Sequence, residues 1–380
     1  MPGCLDDRYH RSEDRTLPGA DSRHVVLRSS SASGSSVARW RCRRRDGYFP
    51  VAVVALGSVR GRVSRGPGGH TVVGSDSAAG HVLVVGSTMI DLVAYAQRVP
   101  EAGETVVGDR FQMGFGGKGA NQAVMASLVG AGVTMAGAVG DDSYGQMTLQ
   151  NLGSFGIDIG HVHVVPGPSG VAPIWVEQDG TNRIIIVPGA NEGLTVAMAV
   201  EAVGSLADLS VVVGQLEVPQ AATAAAFAEA GRRGVPTVLN PAPAAALEPE
   251  LLRGTDWLIP NEVEFSVLAG GAQPDDDALV AYAEHTGTRL LVTLGGDGVA
   301  LVEVEGKVSR VPADLVEPVD TTGAGDAFVG AFVAGLAAGL DEMSALRLGM
   351  TCAGESVTRP GTQTSFPSGE RCREILAACS

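Results

Sequence analysis

The 380-residue chain is 45% apolar, enough to bury one large α/β domain or two smaller ones, and its formal net charge is −15. That charge is unevenly placed: residues 1–80 hold 13 arginines against seven acidic residues, while residues 81–380 hold 14 basic against 35 acidic, a net −21. A body this acidic excludes general binding to nucleic acid or to an anionic membrane, so an anionic ligand must be met by backbone dipoles, a few basic groups or a metal ion.

Only two lysines occur, Lys118 and Lys307. The five cysteines show no CxxC and no metal-ligand spacing, which fits a reduced, cytoplasmic compartment. No apolar run approaches the ~20 residues of a membrane span.

Residues 1–80 differ in composition from the rest. Ser29–Ser36 is nearly all Ser, Ala and Gly, and Arg39–Arg45 is a basic cluster. An Arg/Ser/Gly-rich extension of this kind cannot bury a core and is expected to be disordered. Arg43-Arg44-Arg45 ahead of Val51–Leu56 loosely resembles a twin-arginine signal, but the apolar run is short and is followed by Arg60, Arg62 and Arg65. The extension has no helix-turn-helix or zinc pattern that would suit DNA.

From His81 the chain reads as alternating strands and helices. Val82–Val85 is a buried strand ending in Gly86-Ser87, with Asp91 beyond it. Alternating segments near Asp91–Val99 and Thr105–Phe111, with a hairpin at Ala172–Glu177 and Asn182–Val187, predict a small antiparallel β flap from about 91–113 and 171–188. Gly114–Asn121 then opens a helix through about Val129. It matches G-x-G-x-x-G, but a dinucleotide fold requires it directly after the first strand, and here about thirty residues and the flap intervene. A P-loop is excluded by Gln112 and Gly119 at its first-glycine and Ser/Thr positions. It is either a tight turn packed on a sheet or a ligand loop presenting Lys118 and Asn121.

Further strands are expected at Thr134–Val139, Ser210–Gly214, Thr237–Asn240, Trp257–Ile259, Leu290–Leu294 and Val299–Val304. Helices are expected at Ser143–Phe155, Ala197–Leu206, Gln220–Arg233, Glu262–Ala269 and Ala278–Thr286. The series predicts an α/β fold with a mostly parallel central sheet and helices on both faces. Polar groups fall just past several strands: Glu217, Asn240, Asn261 with Glu264, and the turn Thr293–Gly298. Singly these suit caps and turns; together they mark one edge of the sheet as a ligand site. His161 and His163 have no acidic partners at ligand spacing and read as surface groups.

Asp320-Thr321-Thr322-Gly323-Ala324-Gly325-Asp326 leads into an apolar run that reads as a buried helix. Gly323, Ala324 and Gly325 would let backbone N–H groups at the helix start approach an anion, and Asp326 could take a proton from an attacking hydroxyl. The bland alternative is an Asp in a glycine-rich cap.

In this order and spacing, these pieces, with Gly103-Glu104-Thr105 and Gly361-Thr362-Gln363, resemble the phosphofructokinase-B-type carbohydrate kinases (the ribokinase-like family) from about His81 to the C-terminus. The resemblance implies ATP-dependent phosphorylation of D-ribose at its 5-hydroxyl, with Asp326 as base and Gly323, Ala324 and Gly325 as the anion hole. It implies a sugar site of Met89, Ile90, Asp91, Gly117, Lys118, Gly119, Ala120, Asn121 and Glu217 together with Asp326. Met89 departs from those members that place Asn there, while others carry Met. The nucleotide is implied at Asn261, Thr293, Leu294, Gly295, Gly296, Asp297, Gly298, Gly325 and Asp326, with Mg²⁺ near Asn261 and Glu264 through water. A monovalent cation, K⁺, is implied at Asp320, Thr322, Ser356, Arg359, Gly361 and Ser365, and a homodimer through the flap. Another small sugar or a nucleoside as acceptor, or a non-catalytic sugar-binding regulator, remain the alternatives.

Overall fold

A computed structural model describes residues 80–303 and 305–380, with 43–44 and 47–48. The chain divides into two units, Met1–Val72 and Val73–Ser380. In the first, Arg43–Arg44 pairs antiparallel with Gly47–Tyr48. The other expectations for the extension, including the run Val51–Leu56, fall outside the described residues.

The second unit is built on a nine-stranded sheet. Strand β1 (His81–Val85) lies inside it, and its period-two alternation divides the core: Val82 and Val84 face one helical layer, Leu83 and Val85 the other. Parallel to it on one side run β4 (Gly132–Gly140) and β5 (Asp158–Val165). On the other side β8 (Leu209–Gly214), β9 (Thr237–Leu239), β10 (Trp257–Leu258) and β11 (Arg289–Thr293) continue the parallel array. Antiparallel β12 (Val299–Val302) and β13 (Val308–Val311) close that edge.

The first layer holds α1 (Lys118–Val129), α2 (Ser143–Ser154), α8 (Ala324–Ala337), α9 (Glu342–Ser356) and α10 (Gly369–Cys379). The second holds α3 (Val196–Ser205), α4 (Gln220–Arg232), α5 (Pro249–Arg253), α6 (Glu262–Leu268) and α7 (Asp276–Thr286). Helix α8 is buried on every side from Asp326 to Gly335, as its unbroken run of small and apolar residues requires. Phe332 of α8 meets Trp257 edge-on at 5.2 Å, and burying each such ring contributes roughly 1.5–3 kcal/mol. This packing fixes the N-terminus of α8 against the carboxyl ends of the strands.

A separate four-stranded sheet forms the flap: β2 (Met89–Tyr95), β3 (Arg110–Gly116), β6 (Val171–Val176) and β7 (Asn182–Ile184), in the order β3-β2-β6-β7. Its outer ladders are antiparallel and the central one, β2 with β6, is parallel. The second flap strand is Arg110–Gly116 rather than Thr105–Phe111. Gly114 and Gly116, which read as a turn, pair with Asp91 and Met89, and a Cβ at Gly116 would come within 2.3 Å of the Asp91 carboxylate. β5 has no counterpart among the expected strands. As an edge strand it keeps polar, partly exposed residues, and His161 binds the Ser205 hydroxyl at 2.8 Å while His163 buries its Nε2.

Candidate active site

Helix α1 is seated on the loop after β1. Gly117, its N-cap, has φ 87°, and a Cβ there would collide with Met89 N at 2.8 Å, so glycine is required on both counts. Glu217, past β8, accepts from Ser87 Oγ at 2.5 Å and from the Lys118 N–H at 2.9 Å. A carboxylate is thereby placed at the positive end of α1. Asp91 lies on β2 beside Gly116, and Met89 and Ile90 are buried next to it. The candidate sugar residues from the flap, α1 and Glu217 are therefore in one place.

The N-terminus of α8 closes the other side. Gly323 caps it at φ 79°, and a Cβ there would strike the Thr362 methyl at 2.6 Å. Gly325 has nothing within 4 Å of where its Cβ would stand, so its α-carbon faces open space. Among the described residues the first-turn N–H groups of Gly325 and Asp326 have no backbone acceptor, which leaves them for an anion. Asp326 is buried, and accepts from Asn121 Nδ2 at 2.9 Å and from Gln122 Nε2 at 3.1 Å. A cavity of about 150 Å³ lies here, lined by Lys118, Asn240, Ile259, Asn261, Glu264, Thr293, Gly323, Gly325, Asp326 and Val329. A larger one of about 580 Å³ opens between α4 and α5 but shares no residue with it.

The electrostatics follow from burying acids together. Burial, with Glu217 and Asp326 nearby, pushes Asp91 up to about 6. Burial likewise pushes Glu217 and Glu264 above the usual carboxylate range. For Lys118 burial opposes the charge, but Asp326, Glu217 and Glu264 outweigh it and hold the ammonium above its ordinary value. One cation thus faces three carboxylates, a site that gains from hydroxyl donors or further positive charge.

Among the candidate nucleotide residues, Asn261 caps α6 in a reciprocal box: its Oδ1 accepts from Glu264 N, and Glu264 Oε2 accepts from Asn261 N, both at 2.8 Å. Thr293 bridges to Asn261 in parallel register, which brings the turn through Gly298 alongside. In that turn Gly295 has φ 53°, while Gly298 has φ 95° and would meet Val311 O at 2.0 Å if it carried a Cβ. Leu294 is buried beneath it, and Gly296 faces open space. No group of three or more His, Cys, Asp or Glu side chains forms a metal cage among the described residues. Asn261 and the Oε2 of Glu264 are committed to the cap, so Glu264 has its second oxygen to offer the cavity. That donor set fits Mg²⁺ held chiefly by phosphate and water.

The two segments of the candidate cation site also meet. Asp320 Oδ1 accepts from Thr322 N at 2.9 Å and Oδ2 from Gly361 N at 2.8 Å. Arg359 donates through Nε and a terminal nitrogen to Ser365 O, at 3.0 and 2.8 Å. The Ser356 hydroxyl is buried and donates to Ala353 O. The six residues thus come from the loop before α8, the last residue of α9 and the turn that follows it, with several of their polar groups already hydrogen-bonded within the chain.

Gln122, and Gln363, which donates to Asn121 Oδ1 at 3.0 Å, stand beside these residues without being among those expected from sequence. An amide in the middle of a buried helix, as Gln122 is in α1, was the signal available for the first.

The pfkB family carbohydrate kinase model matches residues 79–369. A ribokinase of Bacillus subtilis is 39% identical over 301 residues, covering 78% of this chain and 99% of its own length. A deoxyribokinase of Salmonella typhi is 38% identical over 302 residues, covering 78% and 98%. Among solved structures, a ribokinase of Arabidopsis thaliana complexed with ribose and ATP superposes with a TM-score of 0.72 at 31% identity, over 78% of this chain and 99% of that one. The fold and site define a phosphotransferase of the ribokinase-like α/β class. The chain belongs to the pfkB family of carbohydrate kinases.

Proposed function

We propose that the protein is a ribokinase, transferring the γ-phosphoryl group of ATP to the 5-hydroxyl of D-ribose. The observation that carries this is the placement of Asp326: a buried carboxylate in the first turn of α8, between free helix N–H groups, Lys118 and the carboxylates of Asp91 and Glu217. Asp91 and Glu217 would accept from sugar hydroxyls, and Asn121 would offer its amide. Asp326 takes the proton as the acceptor oxygen attacks. The N–H groups of Gly325 and Asp326, with Lys118, stabilise charge on the transferring group. Mg²⁺, held through water near Glu264 and Asn261, would neutralise phosphate charge. K⁺ would sit between the loops of Asp320 and Gly361, with Thr322, Ser356, Arg359 and Ser365. The nucleotide lies against Thr293–Gly298, and closing the flap over the sugar excludes water as a competing acceptor. We place the enzyme in the cytoplasm. Among the described residues Cys352, Cys372 and Cys379 are free thiols, and no helix is long and apolar enough to cross a membrane.

Met89 favours a second reading, 2-deoxyribose. It is buried beside Asp91, where its thioether offers a sugar hydroxyl only a weak acceptor, and a deoxyribokinase stands among the similar proteins at 38% identity. Release of ADP across ribose, 2-deoxyribose, fructose and adenosine decides between them. Ribose should give the highest kcat/KM; a preference for 2-deoxyribose would move the assignment to the second reading, and no turnover with any sugar would end both.

A further inference from the structure

The strand ends hold a chain of amides that the chemistry above does not use. Asn240, just past β9, donates from Nδ2 to the Ile259 carbonyl at 2.9 Å, so its Oδ1 must face away from that carbonyl. Gln122 donates from Nε2 to this Oδ1 at 3.1 Å and to Asp326 Oδ1 at 3.1 Å, while its Oε1 accepts from Gln215 Nε2 at 2.5 Å. Every hydrogen-bonding atom of the Gln122 amide is used, and the side chain is wholly buried.

This pattern permits one orientation. Turning the Gln122 amide over would set its nitrogen against the Gln215 nitrogen, and its oxygen against both Asn240 Oδ1 and the Asp326 carboxylate. Three like-signed contacts would replace three hydrogen bonds in a dry environment, where such contacts are costly. The orientation therefore passes from the backbone carbonyl of Ile259 through Asn240 and Gln122 to Asp326. Each Asp326 oxygen has one amide donor, Gln122 for Oδ1 and Asn121 for Oδ2, and the two fix the plane of the carboxylate.

The donors are not equivalent. Asn121 donates to Asp326 and accepts from Gln363, which leaves one of its N–H groups unused, whereas Gln122 uses its nitrogen and its oxygen fully and can act on the reaction only through Asp326. Helix packing holds it there: α8 approaches α1 so closely that a Cβ on Gly330, one turn beyond Asp326, would lie 2.6 Å from Gln122 O.

We propose that Gln122, oriented by Asn240 and Gln215, is a positioning residue that aims the Asp326 carboxylate at the acceptor hydroxyl. This rests on the reading of Asp326 as the base. With the clamp in place, the remaining lone pairs of Asp326 lie in a fixed plane when the acceptor arrives. Without it the carboxylate turns about its own side-chain bonds, and the fraction of encounters with a correct hydroxyl-to-carboxylate line falls.

The test is steady-state kinetics of Gln122→Met, close in volume and lacking the amide, beside Asp326→Asn, with calorimetric binding of the sugar and of ATP. The expected result is a kcat about 10- to 100-fold lower, with KM and Kd for both ligands within about threefold of wild type. A residue that merely fills the core would not separate kcat from binding in this way. Gln215→Met provides the second variant. It removes the partner that pins Gln122 together with an unpaired buried oxygen, so the fold should survive and kcat should fall several-fold. If Gln122→Met does not fold, Gln215→Met decides by the same split. Wild-type kcat in a folded variant alongside an inactive Asp326→Asn overturns the proposal alone, as does loss of kcat and binding together. Near-normal turnover in Asp326→Asn overturns the base assignment and this inference with it.

Discussion

Asn121 and Asp326, 205 positions apart, are joined by a 2.9 Å hydrogen bond from Nδ2 to Oδ2, which ties the start of α1 to the first turn of α8. The helix start proposed to face the sugar and the helix start proposed to receive phosphate are thus linked through the proposed base. Asp326→Asn leaves an amide facing two amide donors and can accept properly from only one of them. The expected outcome is a kcat lower by ~10²–10⁴, with sugar affinity within several-fold. Rapid-quench turnover and calorimetry on the same preparation check both parts.

Gly325 and Gly330 should fail in opposite ways. Added to Gly330, a methyl group meets Gln122 O at 2.6 Å and Met125 Cβ at 2.7 Å, so Gly330→Ala should cost about 1–3 kcal/mol despite the better helix propensity of alanine. At Gly325 the methyl meets nothing, so Gly325→Ala should keep or raise the melting temperature while filling the space a phosphoryl group needs. Thermal melts and kcat for the two variants should therefore rank in opposite orders.

Much of this site was legible in the sequence because its residues sit where chain grammar puts them: at strand ends, at helix starts and in glycine turns. Glu217, Asn261, Thr293 and Asp326 each follow an apolar strand or precede an apolar helix. What escaped was set by tertiary pairing. Gly114 and Gly116 read as a loop because glycine is a poor strand former, yet their strand is fixed by Asp91, which needs the space beside Gly116. β5 escaped because an edge strand has less call for an apolar run. The role of Gln122 depends on Asn240 and Gln215, which lie 118 and 93 positions away, and local pattern carries no trace of that meeting.

Asp91 gives the ligand-free protein a pH signature. Its folded pKa is raised to about 6 from 3.8, so between those values the folded chain holds a proton that the unfolded chain has released. Its stabilising contribution is therefore complete below the unfolded value and is lost as pH rises through about 6. Glu217 and Glu264 are raised as well and act in the same direction. Between pH 5 and 7 the melting temperature of wild type should fall more steeply with pH than that of Asp91→Asn. Parallel curves would remove Asp91 from this account.

The flap leaves Val107, Phe111, Met113, Ile184, Ile185 and Ile186 exposed along its two edge regions. Apolar edges of this kind promote pairing, and we expect a homodimer joined flap to flap. Light scattering should give twice the chain mass, and Phe111→Glu should shift it towards the monomer with a raised KM for sugar. A monomeric wild type at assay concentration would remove the dimer from this reading.

Asp320 holds Thr322 N with one oxygen and Gly361 N with the other, so it already staples the loop before Gly323–Gly325 to the loop of Thr362, against which Gly323 packs. Burial opposes ionisation of Asp320, but its bonds from Thr322 and Gly361 prevail and hold the carboxyl below its ordinary range. If the staple alone sets Gly323–Gly325, exchanging one salt for another at equal ionic strength should change little beyond screening. If K⁺ sits between the loops, its charge supplements the staple and offsets the carboxylate density nearby. K⁺ should then activate turnover above Na⁺ or a bulky organic cation, chiefly through kcat, because the ion touches neither substrate. Asp320→Ala should lower the basal rate by loosening the loop and should also abolish the difference between K⁺ and Na⁺. Equal rates in all three salts would leave Asp320 as a staple and nothing more. Activation that survives in Asp320→Ala would place the ion elsewhere.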